Sequence, residues 1–163
     1  MPGKYHHMNE MYEYILNELK NEIKLHGLKS GEIIIELDQI NRDTNTSIFN
    51  LIDRFFLDNN IQTEHKDFTI KEIILNEAIN SIVYGFSSKP NYTNLDREFS
   101  DTQKNKIAYT FISLFSNPKF YSLNTRIYRE PLDLADFWET GGAIVVDDKM
   151  IGIIWVNDLY DKF

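Results

Sequence analysis

The chain has 163 residues, of which 42% are hydrophobic, and it carries a formal net charge of −8. A domain of this length buries roughly 70% of its unfolded surface, so one domain with one core needs no metal ion or disulfide. Cysteine is absent, which excludes disulfides, thiolate zinc sites and a cysteine nucleophile, and favours a reducing compartment. We therefore expect a single domain over residues 1–163 in the cytoplasm.

The N-terminal residues and the apolar runs bear on targeting. Residues 1–7 carry Lys4 but no apolar stretch follows it, so they are not a secretory signal and are expected to be flexible. The longest apolar runs, such as residues 143–146, fall far short of the roughly 20 residues that cross a bilayer. The sequence predicts no membrane span.

The first third of the chain predicts a helix, a strand and a second helix. Apolar residues recur three or four apart from Met8 to Ile23 and Gly27 follows, which indicates an amphipathic helix over residues 8–26. Residues 32–38 are rich in β-branched side chains and favour a strand, with a helix as the alternative. Helical spacing resumes over residues 48–57.

The middle of the chain predicts two more helices. Thr69, with Glu72 three residues later, matches a capping box and predicts a helix over residues 69–84 that Gly85 ends. Ser100 or Asp101 caps the next helix, which ends before the pair at residues 117–118. Residues 121–128 form a candidate strand.

The C-terminal segment predicts a β-hairpin. Residues 143–146 and 150–156 are apolar almost without interruption, and the polar residues 147–149 between them suit a tight turn. Such strands need cover on both faces. Gly152 suggests a bulge or a close backbone approach. The expected fold is α+β, with about four helices packed on a small, mainly antiparallel sheet that includes this C-terminal hairpin.

Negative charge is concentrated at the same end of the chain. Residues 130–163 hold eight carboxylates and two lysines, a net charge of −6, whereas residues 86–129 carry +4. An acidic field selects cationic partners and disfavours phosphate backbones. We expect a protein partner and no direct binding of nucleic acid.

Motifs for catalysis and cofactor binding are missing from the sequence. It contains no Gly-x-Ser-x-Gly elbow, phosphate loop, dinucleotide fingerprint or zinc-protease histidine pair. We therefore predict no cofactor, no metal and no catalytic residue. Glu64, His65 and Asp67 could hold a metal together, although a polar loop is a poor frame for one.

One alternative is a small hydrolase. Glu32, Glu36 and Asp38 alternate on one side of the predicted strand, and with His65 they could serve as acid and base groups. A solvated strand face is the interpretation that we prefer for these carboxylates.

Carboxylates alternate with large aromatic residues before and after the hairpin. Interfaces concentrate binding energy in buried aromatic residues with polar rims, and acidic rims speed encounter with a basic partner. The predicted partner-binding residues are Asp133, Asp136, Trp138, Glu139, Asp147, Asp148, Asp158, Tyr160 and Asp161. In the alternative interpretation Trp138 and Trp155 are core residues and the acids keep the surface soluble. The hairpin edge could also accept a strand of another protein.

The acidic segment 133–139, the hairpin of residues 141–152 and the Asn-, Ile- and Lys-rich composition together resemble the immunity proteins of bacterial contact-dependent growth inhibition and related polymorphic toxin systems. The resemblance lies in overall character, because that family shares no catalytic signature. It implies a cytoplasmic, non-catalytic inhibitor that binds the C-terminal toxin domain of one cognate effector, commonly a nuclease. A self-associating structural subunit remains a further alternative, and the sequence leaves the oligomeric state open.

Overall fold

A computed structural model describes residues 10–26, 32–41, 46–87, 99–129 and 137–159. The described residues form four helices and seven strands. The helices are α1 (Glu10–His26), α2 (Ile48–Asp58), α3 (Leu75–Gly85) and α4 (Asp101–Ile112). The strands are β1 (Glu32–Gln39), β2 (Gln62–Thr63), β3 (Ile70–Ile73), β4 (Lys119–Leu123), β5 (Ile127–Tyr128), β6 (Phe137–Val146) and β7 (Met150–Leu159).

Five of these strands form one antiparallel sheet in the order β1-β7-β6-β4-β3, and β2 pairs with β5 in a small second sheet. The α+β fold class is confirmed. The hairpin of β6 and β7 is also confirmed, although its strands are longer than expected and occupy the centre of the sheet. Because β1 and β4 flank the hairpin, the edge strands of the sheet are β1 and β3, whereas the sequence had suggested that the hairpin could offer an edge to another protein.

The central strands are buried on both faces. Successive side chains of a strand point to opposite faces, so Val145 and Ile154 join one apolar cluster while Ile144 and Ile153 join another. Helices α1, α3 and α4 cover the first cluster and α2 covers the second. The continuous apolar runs are thus explained, and the sheet divides the one expected core into two layers.

The helices α1 and α2 and the strand β1 lie where the sequence predicts them, and α4 begins as predicted but ends at Ile112, before the expected stop at residues 117–118. Ser100 caps α4 by accepting a hydrogen bond from the Gln103 amide at 3.1 Å, while Gln103 Oε1 accepts from the Ser100 amide at 2.8 Å. This reciprocal pair satisfies two backbone amides that have no partner within the helix. No helix among the described residues has the length and apolar character that crossing a bilayer requires.

The helix predicted over residues 69–84 starts earlier in the chain than the observed helix α3. Residues 70–73 form β3, which pairs with β4 so that Ile73 lies opposite Phe120, and α3 begins only at Leu75. Glu77, rather than Glu72, accepts a hydrogen bond from the amide of the N-cap residue Ile74, at 3.3 Å. Pairing with a distant strand overrides local helix propensity here. Gly85 is the last residue of α3, and Phe86 occupies the C-cap.

Helix α3 takes the place of a strand beside the first half of β6. Strand β4 pairs with β6 only as far as Ile144. At Gly142 the amide instead donates to Ser81 Oγ at 3.1 Å, and the Ser81 hydroxyl donates to the Gly142 carbonyl at 2.8 Å. The helix approaches this closely because Gly141 has no side chain, since a Cβ there would lie 2.7 Å from the amide nitrogen of Gly85.

Gly152 continues the strand ladder without a bulge, in register with Val145 on one side and Leu37 on the other. A Cβ at this position would lie 2.8 Å from the ring of Phe115 and 2.9 Å from the ring of Phe111. The close approach expected at Gly152 is therefore made by aromatic rings of the α4 region.

The contact between α3 and β6 generates a stability prediction. Gly141→Ala forces the helix away from the strand, and we expect a loss of about 1–3 kcal/mol in the free energy of unfolding, the usual cost of overpacking. Urea unfolding followed by circular dichroism measures it. Ser122→Ala, on the half-buried part of β4, is the control and should change stability by less than about 0.5 kcal/mol. Equal stabilities of Gly141→Ala and the wild type would contradict the packing described.

Candidate partner-binding site

The predicted partner-binding residues that the structure describes divide between the two ends of the hairpin. At the open end, where β6 begins and β7 finishes, Phe137 pairs with Leu159 and Glu139 with Asp158. At the turn end, Val146 pairs with Ile151. Asp147 lies eight positions after Glu139, which at about 3.3 Å per residue is roughly 26 Å along the strand. The described members of the predicted site therefore form two groups, one at each end of the hairpin.

Three of the predicted residues, Trp138, Glu139 and Asp158, lie at the open end. Trp138 has no partner position in the ladder between the pairs Phe137–Leu159 and Glu139–Asp158, so it is the extra residue of a β-bulge. A bulge bends its strand and redirects the chain. The adjoining predicted residues lie outside the described residues; they are Asp133, Asp136, Tyr160 and Asp161.

At the turn end, Asp147 has a structural role. Its residue is only 8% exposed, and its Oδ1 accepts hydrogen bonds from the amides of Lys149 at 2.8 Å and Met150 at 2.7 Å. Its Oδ2 accepts a third bond, from the Ser116 amide at 2.8 Å. The carboxylate therefore fixes the turn and joins it to the loop after α4. The neighbouring Asp148 is exposed.

Trp155 belongs to the core. It is 5% exposed, and its indole Nε1 donates to Asn157 Oδ1 at 3.1 Å. The Asn157 side chain in turn donates to the Ile127 carbonyl at 2.7 Å, which joins β7 to β5. For this tryptophan the core interpretation is the correct one.

The three carboxylates of β1 are bonded to the protein and do not form a solvated face as expected. Glu32 Oε1 accepts a hydrogen bond from the Arg129 amide at 2.9 Å, and Glu36 Oε1 lies 2.9 Å from the Arg129 guanidinium. Asp38 Oδ2 accepts from the Asn59 side chain at 2.8 Å. These carboxylates fasten the end of α2 and the loop after β5 to the sheet.

His65 lies in a different setting. Its imidazole is exposed and sits 4.0 Å from Glu64, whose carboxylate is held in two bonds by Arg126, at 2.7 Å from Nε and 2.6 Å from Nη2. The Arg126 hydrogen bonds lower the pKa of Glu64, the charges of Arg126 and His65 act in the same direction, and the same hydrogen bonds raise the pKa of Arg126. Within the described part of the chain, no three histidine or carboxylate side chains are placed to hold a metal ion.

Arg129 is a connecting residue that sequence reasoning missed. Besides its bonds to Glu32 and Glu36, its Nε donates to the Asn59 carbonyl at 3.0 Å. Glu32 lies 97 residues earlier in the chain, so no local spacing reveals the contact. A lone arginine after a short apolar pair carries no signal of such a role.

Comparison with protein-family models, curated proteins and solved structures gave no match to this chain. A function for this chain therefore has to be inferred from the hairpin geometry and the distribution of charge.

The role of Asp147 is testable by substitution. Asp147→Ala leaves three backbone amides without their acceptor, and we expect it to lower the free energy of unfolding by about 2–4 kcal/mol. Urea unfolding measures the change. Asp148→Ala, at the exposed neighbour, should stay within about 0.5 kcal/mol of the wild type. If the two variants proved equally stable, the turn would not depend on Asp147.

The Glu64–Arg126 pair predicts a pH effect. Because the pKa of Glu64 is lowered in the folded state, the pair stabilises the fold above the unfolded pKa of Glu64, and that contribution is lost as the pH falls through the folded pKa. Glu64→Gln should therefore weaken the dependence of stability on pH in the acid range. Urea unfolding between neutral pH and acid pH, with exposed Glu18→Gln as control, measures this. Parallel acid profiles for Glu64→Gln and the wild type would contradict the prediction.

Proposed function

We propose that this chain is an immunity protein, which binds and neutralises a cationic toxin domain through the open end of its terminal hairpin. The observation that carries the proposal is the pairing of Glu139 with Asp158. It places two positions of the most acidic stretch of the sequence opposite each other at one end of the sheet. Directly opposed acidic positions concentrate negative charge, and a basic partner relieves it.

The charge distribution supports the same surface. Residues 130–163 carry −6 of the net charge of −8. Within this segment Asp147 is committed to the turn. The proposed contact therefore consists of Trp138, Glu139 and Asp158, with Asp133, Asp136, Tyr160 and Asp161 next to them in sequence. Asp148, at the turn end, lies outside it.

A nuclease toxin suits an acidic binder. Nucleases hold phosphate backbones with lysine and arginine, so carboxylates of an inhibitor compete for the same cations. Electrostatic attraction also speeds association, which favours capture of the toxin before it reaches nucleic acid. Inhibition of this kind needs no catalytic group in the inhibitor.

The hydrolase alternative gains no support from the described geometry. Glu32, Glu36 and Asp38 are bonded to Arg129 and Asn59, as described above. His65 is exposed beside Glu64. Acid–base catalysis would need His65 and one of these carboxylates to lie within hydrogen-bond reach of the same substrate.

The test uses the toxin domain encoded immediately upstream of this chain. The proposal expects a basic domain there, whose toxicity this chain abolishes on co-expression and which it binds tightly in isothermal titration calorimetry. Glu139→Lys combined with Asp158→Lys should weaken binding by on the order of 2–5 kcal/mol, because two acidic contacts become repulsive. Asp148→Lys is the matched control at the turn end and should leave the affinity within about twofold.

Three outcomes would contradict the proposal. They are the lack of a basic toxin domain upstream, continued toxicity when both proteins are present, and an unchanged affinity of the doubly substituted protein. Thermal unfolding of each variant verifies that a loss of binding is not a loss of the fold.

A further inference from the structure

A pocket of about 410 Å³ lies between α1 and the edge strand β1. Its floor is apolar and consists of Ile23 from α1 with Ile33 and Ile35 from β1. Ile23 and Ile35 are 4% exposed and belong to the core layer under α1, so the floor is a fixed part of the fold. Small-molecule sites have volumes of roughly 300–1,000 Å³ and combine apolar surface with polar groups that orient the ligand.

The rim of this pocket is cationic. It holds Lys20, Lys24 and Arg129 against the single carboxylate of Glu36. Lys20 and Lys24 are one helical turn apart and therefore lie on the same face of α1. A net excess of two positive charges at one pocket is notable because the chain as a whole carries −8.

The rim already binds one carboxylate. Glu36 Oε1 lies 2.9 Å from the Arg129 guanidinium and 3.9 Å from the Lys20 ammonium, and the Glu36 side chain is 12% exposed. The cations are thus positioned to contact a carboxylate. Lys24, which is exposed on the next turn of the helix, adds a further positive charge at the mouth.

We propose that this pocket binds a small amphipathic anion, with its anionic head at Lys20, Lys24 and Arg129 and its aliphatic chain on the isoleucine floor. The head is a carboxylate or a phosphate monoester, which the same cations recognise by charge-assisted hydrogen bonds. This site is formed by α1 and β1, whereas the proposed toxin contact is formed by β6 and β7, so neither proposal depends on the other.

Titration of the full chain with hexanoate, followed by the methyl NMR signals of isoleucine, tests the site. We expect saturable shifts at Ile23, Ile33 and Ile35 with a dissociation constant on the order of 1 mM. Hexan-1-ol and hexylamine carry the same chain without the negative charge, and they should bind at least tenfold more weakly. Hexyl phosphate distinguishes the headgroups, since tighter binding than hexanoate assigns the site to a phosphate and weaker binding assigns it to a carboxylate.

Charge variants provide the second arm. Lys24→Glu should weaken hexanoate binding at least tenfold, while Lys24→Arg keeps the charge and should stay within about threefold of the wild type. Lys71→Glu, an exposed lysine on the opposite edge strand β3, is the matched control and should leave binding unchanged. Equal binding of hexan-1-ol and hexanoate, or undiminished binding by a folded Lys24→Glu variant, would overturn the proposal.

Discussion

The central constraint on this fold is that β6 and β7 are apolar on both faces. Neighbouring residues such as Ile144 and Val145 are both buried, on opposite sides of the sheet. Burying such side chains is the main favourable contribution to folding, at roughly 1.5–3 kcal/mol for each. Helices must therefore cover both faces, and flanking strands must satisfy the backbone of the hairpin. The positions of α1, α2, α3 and α4 follow from this requirement.

How far the fold could be predicted depends on the distance over which each signal acts. Spacing and caps are local, so α1, α2 and α4 could be recognised from their own residues, as could the hairpin from its turn. Strand β3 could not be recognised, because its pairing with β4 joins Ile70 to Leu123 across more than fifty residues. The capping-box pattern at Thr69 was a local signal that this distant pairing outweighed. In the structure the Thr69 amide instead donates to the side chain of Asn124, at 2.7 Å.

The candidate site, like the fold, could be predicted only where the signal is local. The acidic character of the C-terminal segment is visible in the sequence, but the sequence does not show which acids are committed within the protein. Asp147 binds three backbone amides, one of them from a loop 31 residues earlier. Glu36 and Arg129 form a half-buried ionic contact that neither residue signals locally. Nor does the sequence reveal that the Ser81 hydroxyl, on α3, bonds to both the amide and the carbonyl of Gly142. Recognising this contact requires knowing where the pairing of β4 with β6 stops.

The pairing of β6 with β7 also fixes the distance between two acidic positions. Adjacent strands lie about 4.8 Å apart, and the pairing of Glu139 with Asp158 holds these two positions at that spacing although eighteen residues separate them in the chain. A macromolecule that touches one of the two meets the other without a further diffusional step, so the second contact forms at a high effective concentration. In the proposed complex, two individually weak contacts would dissociate as one unit, and the residence time would depend on the integrity of the sheet as well as on the charges at its end.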